Sequence, residues 1–354
     1  MSAPRRRVSW VSPASERRRR PTLRDIAIET GLSPAAVSYA LRGLQVPEGT
    51  QLRVREAAER IGYQVDPIAR ALASGRTGNI GVLCGSLDDI WQQSIAAALG
   101  RGLLGADRQA LIVDAANDPA LEARLAQRLV DQRVDALIVL PVDPRGSHWA
   151  RLAEQTALIS IGDALPATAT AAEIVFDNAW GVTEALTGLA AVGHRRVAVL
   201  TPLATSTADR PAEAVVHTLA PQLGIDVELR TAPHDLDGAT AVAVAILSAD
   251  RAPTAILCLA DSIAYGVYEA ARRLRLDVPQ DVSVLGYDDQ PVSRVLTPPL
   301  SSFRWPIVEL VATVVRGTVL AVDQGKRSRR KVLRPTAAPR GSVGPPPDGD
   351  KRYS

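Results

Sequence analysis

Residues 22–43 read TLRDIAIETGLSPAAVSYALRG, and this stretch predicts two short helices joined by a tight turn. Thr22 and Asp25 have the spacing of a capping box at the start of the first helix. Gly31 ends that helix, because glycine accepts the left-handed conformation that commonly follows a helix. Ser33 is a favourable N-cap for the second helix. The arrangement is typical of a helix-turn-helix.

A third helix is expected over residues 49–61, directly after the first two. Its apolar stripe consists of Val54, Ala57, Ala58 and Ile61, at helical spacing. Helices of this size also form ordinary bundles, so the pattern by itself leaves a generic three-helix bundle open.

The pattern changes from residue 80 onward, where short apolar runs alternate with amphipathic stretches such as 118–133 and 262–275. The apolar runs have the length and composition of buried parallel strands. They cover residues 80–84, 110–114, 136–140, 158–162, 197–200, 255–259 and 282–286. The region that repeats strand and helix in this way is longer than one ordinary domain. The sequence therefore predicts an α/β body of two doubly wound parallel-sheet lobes.

Charge is distributed unevenly along the 354 residues, although the net charge is only +3. Residues 1–76 carry +7, residues 77–325 carry −11 and residues 326–354 carry +7. A basic head on an acidic body favours a polyanionic partner, and nucleic acid is the first candidate. A solvated charged tail would give the same counts.

Composition excludes several classes of protein. Two cysteines cannot build a disulfide framework, and the four histidines lack metal-ligand spacing. No apolar run reaches the ~18 residues of a transmembrane helix, and the N-terminal residues lack the apolar segment of a secretory signal. We find no nucleophile elbow, P-loop or dinucleotide motif. We expect a cytoplasmic, nucleoid-associated protein that is not an enzyme and has no cofactor, no metal and no membrane contact.

The chain is expected to have five parts. A disordered basic arm covers residues 1–20, the helix-turn-helix domain covers 21–65, and a hinge helix or linker covers 66–77. The two-lobed body covers 78–340, and a disordered tail covers 341–354.

This organisation resembles the lactose-repressor (LacI/GalR) family of bacterial transcription regulators. Residues 22–43 look like the family signature, and further segments match in family order over about residues 21–340. They are RVREAAERIGY (53–63), IARALASGRTGNIGVL (68–83), VFDNAWG (175–181), LAAVGHRRVAVL (189–200), VPQDVSVLGYDD (278–289) and LTPPLSSFRWP (296–306). The resemblance implies a body similar to periplasmic sugar-binding proteins.

The resemblance also implies a homodimer that binds a near-palindromic double-stranded DNA operator, and we expect a repressor. The residues implied in DNA contact are Thr22, Ser33, Pro34, Ala35, Ser38, Tyr39 and Arg42 in the head, and Ala69, Arg70 and Leu72 in the hinge. Leu72 would enter a central base step in the minor groove. Tyr39 stands where the family commonly has arginine, and a tyrosine cannot make the bidentate guanine contact of an arginine. Arg42 replaces a usual asparagine and suits a phosphate contact.

A small effector, expected to be a sugar or sugar derivative, would bind between the lobes. The implied residues are Trp91, Asp177, Arg210, Asp261 and Asp288. Carboxylates accept several hydroxyl hydrogen bonds, and an indole offers a stacking face for a sugar ring. Asp261 and Asp177 also stand where each would cap a following helix. Ala260 and Glu213 depart from the family pattern.

Other functions remain as alternatives. In the first alternative, the protein is the same kind of DNA-binding regulator, but its cleft is degenerate and it responds to a non-sugar ligand or a protein partner. A solute-binding transport protein would need a signal peptide and no helix-turn-helix. An enzyme built on the α/β body would leave the basic head unexplained.

Overall fold

The computed structural model describes residues 21–44, 46–63, 71, 75–202 and 212–347. The chain divides into a head, Met1–Gly75, and a body, Arg76–Ser354. The predicted basic arm, most of the predicted hinge helix and the end of the predicted tail lie outside the described residues. Among the residues that are described, no helix is both long and apolar enough to cross a membrane.

The head contains the three predicted helices: α1 (Leu23–Thr30), α2 (Pro34–Leu41) and α3 (Glu48–Arg60). Asp25 accepts hydrogen bonds from Thr22 N at 2.6 Å and Thr22 Oγ1 at 2.8 Å, which holds the start of α1. Gly31 follows α1 with a φ of 68°, and Ser33 Oγ accepts from Ala36 N at 3.2 Å to cap α2. The helices share one small core, formed by Ile26, Ala27, Val37, Ala40, Val54, Ala57 and Ala58.

The first sheet of the body has six parallel strands. They are β1 (Asn79–Cys84), β2 (Gln109–Asp114), β3 (Ala136–Val139), β4 (Ala157–Gly162), β5 (Ala172–Phe176) and β11 (Lys331–Leu333). Their spatial order is β11-β5-β4-β3-β1-β2. The central strand β3 is buried throughout, whereas the edge strand β2 is largely accessible.

The second sheet has four parallel strands in the order β7-β6-β8-β9. They are β6 (Arg196–Pro202), β7 (Asp226–Ala232), β8 (Ala255–Cys258) and β9 (Ser283–Leu285). The first sheet, taken from its β2 edge, has the same pattern: the second strand in sequence is at the edge, the first lies next to it, and the later strands follow on the other side. In both sheets the strand order therefore reverses beside the first strand, and ligands commonly bind at such a switch point. A small antiparallel pair joins β10 (Ser302–Arg304) and β12 (Thr336–Ala338). The prediction of two doubly wound parallel-sheet lobes is confirmed.

Helices cover the sheets. They are α4 (Ile90–Leu104), α5 (Pro119–Asp131), α6 (His148–Ala153), α7 (Asn178–Val192), α8 (Ala212–Gln222), α9 (Leu236–Leu247), α10 (Asp261–Leu274) and α11 (Ile307–Gln324). Helix α11 packs on α4 and on the first sheet, although it follows the second sheet in sequence. The chain therefore crosses between the sheets three times, after β5, after β10 and after β11.

The expectation of an unstructured tail from residue 341 is wrong for residues 341–347. Ser342 is fully buried, accepts from Ser301 N at 2.7 Å and donates to Val284 O at 2.6 Å. Val284 N donates to Ser342 O at 2.8 Å. Strand β9 is the edge of the second sheet, and its free backbone groups need partners. The tail supplies these partners through small residues such as Ser342. The amino-acid composition of the tail does not reveal this role.

Candidate functional site

Helix α2 presents an exposed face opposite its buried side. Val37 and Ala40 are buried in the head, whereas Pro34, Ala35 and Tyr39 are exposed. The exposed positions lie at helical spacing along one surface, which is the geometry that a groove-binding helix requires. The predicted DNA-contact residues of α2 therefore share one face.

Two side chains of this face are already in contact. The Arg42 guanidinium carbon lies 5.2 Å from the centroid of the Tyr39 ring, and Arg42 Nε donates to Ser38 O at 3.2 Å. The arginine charge is thus held beside the tyrosine and remains exposed. Thr22 is half-buried, and its hydroxyl is engaged by Asp25. Ala69, Arg70 and Leu72, the predicted hinge contacts, lie outside the described residues.

A cavity of about 670 Å³ lies between the two sheets of the body, at the carboxyl ends of their strands. Gly85, Leu140 and Phe176 line it from the ends of β1, β3 and β5 of the first sheet. Thr201 and Leu259 line it from the ends of β6 and β8 of the second sheet. This volume is within the range of small-molecule sites.

Four aromatic rings form one wall of the cavity. The Trp91 and Phe176 centroids are 5.2 Å apart at 74°, and those of Phe176 and Trp305 are 4.5 Å apart. Tyr287 continues the series, 5.6 Å from Trp305. A Cβ on Gly181 would lie 1.8 Å from Tyr287 Oη, so the glycine is needed for the ring to take this position. Such rings offer the apolar faces on which a ring-shaped ligand stacks.

Asp288 lies on the cavity wall next to Tyr287, in a strained turn. Its φ is 141° and that of Asp289 is 51°, both in the region that favours glycine. Asp261 N lies 3.4 Å from Asp288 Oδ2, and the side chain of Trp305 lies beside Asp288. Burial raises the pKa of Asp288 well above its usual value, and the nearby carboxylates of Asp261 and Asp89 raise it further.

Asp289 points away from the cavity and holds the turn in place. Its side chain is fully buried and accepts hydrogen bonds from Arg304 Nε at 2.5 Å and from Arg340. Arg294 lies 3.6 Å away. Burial alone would raise the pKa of Asp289, but the bonds from Arg340 and Arg304 lower it below its usual value. A strained residue persists only where its surroundings fix it, as this buried ion pair does for Asp288.

Asp261 is not on the cavity wall, so its predicted ligand role is corrected. It is fully buried, and its carboxylate accepts from Gln290 N at 2.8 Å, Ser293 Oγ at 2.5 Å and Ser302 Oγ at 2.7 Å. Nor is it the N-cap of α10, since Ala260 occupies that position. Its carboxylate is used within the protein and anchors the turn that carries Asp288.

Asp177 also falls beside the cavity instead of lining it. Asp177 Oδ1 accepts from Trp180 N at 3.1 Å and so caps α7, as the second interpretation of the sequence expected. Its other oxygen accepts from Arg334 Nε at 2.8 Å. This pair joins the first and third crossings between the sheets. Of the predicted effector residues, Trp91 and Asp288 line the cavity, and Arg210 lies outside the described residues.

Sequence reasoning missed several residues that line the cavity, among them Asp89 and His234. His234 Nδ1 lies 2.9 Å from Ser262 Oγ and 4.0 Å from Asp89 Oδ1. His234 follows β7, an edge strand of mixed polarity. Because β7 is not a continuous apolar run, the sequence does not predict it. In the described part of the chain, no cluster of histidine, cysteine and carboxylate side chains has the arrangement of a metal site.

Comparisons with known proteins agree with this architecture. Residues 186–343 match the model of a periplasmic binding protein-like domain. The chain is 30% identical over 307 residues to the HTH-type transcriptional regulator MalR of Streptomyces coelicolor, covering 83% of this chain and 88% of that protein. It is 26% identical over 332 residues to the ribose operon repressor of Haemophilus influenzae, covering 91% and 98%.

The fold is similar to that of a chain in the crystal structure of the lac repressor dimer bound to operator and the anti-inducer ONPF. The match has a TM-score of 0.81 at 23% identity and covers 92% of this chain and 100% of that one. These matches cover most of this chain and most of each relative. The chain belongs to the lactose-repressor (LacI/GalR) family of helix-turn-helix transcriptional regulators.

Proposed function

We propose that this protein is a transcriptional repressor that binds a near-palindromic operator as a homodimer and responds to a polar small molecule in the cavity. The observation that carries the proposal is the strained turn at Asp288, which aims a carboxylate into a cavity walled by aromatic rings. Backbone strain of this kind is concentrated at ligand sites. It is held here at a cost of about 1–3 kcal/mol per residue.

The effector is a sugar or sugar derivative bound by Asp288 and Trp91. The carboxyl group of Asp288 binds ligand hydroxyls, and the aromatic wall stacks on the apolar face of a ring. Asp89, Gln92 and Asn117 add further polar groups to the same cavity. Arg210, in the segment outside the described residues, is proposed as a further ligand contact.

Operator contact is assigned to the exposed face of α2, with Tyr39 on a base and Arg42 on a phosphate. Leu72 in the hinge, with Ala69 and Arg70 beside it, is proposed to enter the minor groove at the operator centre. Both proposals agree with the basic charge of residues 1–76. We place the working protein in the cytoplasm, on the nucleoid.

The dimer is proposed to form through an apolar groove built mainly by the second lobe, with Ile90 of the first lobe at its side. This groove, of about 540 Å³, is lined by Ile90, Leu236, Tyr265, Tyr268, Val292 and Leu296. Leu236 is 53% exposed, Val292 is 47% exposed, and the neighbouring Val295 is 77% exposed. The rim carries Glu269 and Arg272, of opposite charge, so the surface can face a second copy of itself without repulsion between like charges.

The test has two parts. Selection of bound DNA from a random pool is expected to return a sequence with approximate two-fold symmetry. Thermal-shift screening of sugars and nucleosides is expected to find a stabilising ligand whose effect is lost in Asp288→Ala, and that ligand is expected to change operator affinity. A selected DNA sequence without two-fold symmetry would contradict the proposal of a dimeric repressor. Stabilisation retained in Asp288→Ala would contradict the cavity assignment, and a response confined to non-sugar compounds would favour the degenerate cleft.

A further inference from the structure

Helix α10 lies between the effector cavity and the apolar groove. Ala260, which precedes the helix, lines the cavity. Ser262, Tyr265 and Tyr268, on its first two turns, line the groove. The two surfaces are therefore separated by a single helical segment.

Hydrogen bonds run without a break from the groove to the turn that carries Asp288. Tyr265 Oη lies 3.0 Å from Ser293 Oγ, and Ser293 Oγ donates to Asp261 Oδ2 at 2.5 Å. The proton of Ser293 is used by Asp261, so the Tyr265 hydroxyl is the donor in the first bond. Asp261 Oδ2 also accepts from Gln290 N, and Asp261 N donates to Tyr287 O at 3.0 Å and lies 3.4 Å from Asp288 Oδ2. We call this series, from Tyr265 through Ser293 and Asp261 to Asp288, the relay.

The centre of the relay is shielded from water. Asp261 and Ser293 have no exposed surface, and burial raises the pKa of Asp261 although Ser293, Ser302 and Gln290 donate to it. Hydrogen bonds are stronger in such surroundings, and an unpaired member of the series is costly. A movement of Asp261 that follows a shift of Asp288 therefore cannot be compensated by solvent at Asp261 or Ser293. The buried partners of Asp261 must move with it.

A second contact links the same two surfaces. His234 lines both the cavity and the groove, and its Nδ1 lies 2.9 Å from Ser262 Oγ. Ser262 is the residue after Asp261 at the start of α10. Both links thus meet on one turn of helix.

We propose that the relay couples the effector cavity to the apolar groove, so that a change at Asp288 alters the affinity with which two copies of the chain associate. The inference rests on the proposed function, which supplies the ligand for the cavity and the second copy for the groove. Tyr265, Ser293 and Asp261 are then positioning residues. They bind no effector, and they transmit its presence to the surface between the subunits.

A double-mutant cycle on the full chain tests this without a known ligand. Asp288→Asn keeps the size of the side chain and replaces its carboxyl group by an amide, and Tyr265→Phe removes the hydroxyl at the groove end. The dimer dissociation constant of each protein is measured by sedimentation of fluorescently labelled chain. We expect Asp288→Asn to change that constant by about 2- to 30-fold in the parent. In the Tyr265→Phe background we expect the change to disappear.

Tyr268→Phe is the matched control. Tyr268 also lines the groove, but its hydroxyl donates to Pro298 O at 2.7 Å and is not part of the relay. The change caused by Asp288→Asn should therefore persist in the Tyr268→Phe background. Trp305→Phe, which changes a cavity-lining side chain beside Asp288, serves as a second change at the cavity if Asp288→Asn does not fold.

Several results would overturn the inference. One is that Asp288→Asn changes the dimer dissociation constant equally in the parent and in the Tyr265→Phe background. Another is that its effect disappears in the Tyr268→Phe background as well. A third is that neither Asp288→Asn nor Trp305→Phe changes the dissociation constant of the parent. A parent that stays monomeric would also overturn it, because the groove would not join two copies. Operator binding is measured on the same samples. A dimer that binds its operator while the cycle is additive would refute the relay and leave the proposed function standing.

Discussion

At the scale of the residue, Tyr39 and Arg42 should separate base reading from phosphate binding. Arg42→Gln is expected to weaken binding to all sequences alike and to lower the salt slope of binding by about 2, because the homodimer loses one phosphate contact in each subunit. Tyr39→Phe is expected to leave that slope unchanged and to relax preference at one position in each operator half-site, because only the base-contacting hydroxyl is removed. Salt titrations and repeated selection measure the two effects. Unchanged preference at every position in Tyr39→Phe would remove Tyr39 from base contact.

His194 should make the body sensitive to acid. Its Nε2 lies 2.9 Å from Gly344 O and its Nδ1 lies 2.9 Å from Thr254 Oγ1, so it fixes the tail to the second lobe. Burial lowers the pKa of His194, only partly offset by the bond to Gly344. A histidine with a lowered folded-state pKa contributes stability that is present above its unfolded pKa of about 6.5. That stability is lost as the pH falls through the folded-state pKa.

Urea unfolding at pH 8 and pH 5 measures this effect. The midpoint of the parent is expected to fall with pH more than that of His194→Gln, while His217→Gln, at an exposed histidine, should follow the parent. Equal losses in the parent and His194→Gln would show that other groups cause the acid sensitivity.

Individual residues also show what the sequence could predict of the site. Trp91 and Asp288 follow strands with clear apolar runs, so their position at the carboxyl edge of a sheet could be predicted. Asp261 and Asp177 follow strands in the same way, yet both carboxylates are used within the protein. Their partners, Ser293 and Arg334, are distant in sequence. Strand order places a residue at an edge, whereas the direction of its side chain depends on tertiary partners.

At the scale of the element, the turn at Asp288 and the segment after β12 depend on one buried ion pair. Asp289→Asn is expected to destabilise the body by about 3 kcal/mol, the lower end of the range for breaking a buried pair, because Arg304 is half-exposed. Arg340, which is mostly buried, would be left with reduced compensation. Urea unfolding measures the loss. Glu228→Gln, in an exposed pair with Arg230, is the control and should cost at most about 1 kcal/mol; equal losses in the two variants would refute the role of Asp289.

Elements differ in how readily the sequence reveals them. Strands such as β3 are buried throughout and read as continuous apolar runs, so they could be predicted. Strand β7 is an edge strand with mixed polarity and gives no such run. Residues 341–347 are ordered because β9 needs backbone partners, and that need arises only once the sheet has formed.

At the scale of the whole molecule, effector and operator must affect each other equally. A ligand that changes operator affinity by a given factor must have its own affinity changed by that factor when operator is bound. We expect a coupling of about 1–3 kcal/mol. Asp288→Ala should abolish the ligand response, and its operator affinity without ligand should stay near the parent value at protein concentrations at which both proteins are dimeric. Titrations of ligand with and without operator test this, and a full response in Asp288→Ala would contradict the cavity assignment.

The uneven charge of the molecule makes operator binding depend strongly on salt. Residues 1–76 carry +7 and residues 77–325 carry −11, so DNA is attracted by one part of the chain and repelled by another. If the dimer neutralises about 6–10 phosphates, its affinity should fall by about 10³- to 10⁵-fold between 50 and 200 mM salt, because condensed counterions are released on binding. Titration of the selected operator at several salt concentrations measures the slope. A random duplex should show a comparable slope at lower affinity, since phosphate contacts carry no sequence information. An affinity for the selected operator that is constant over this range would rule out a binding surface made of the basic head.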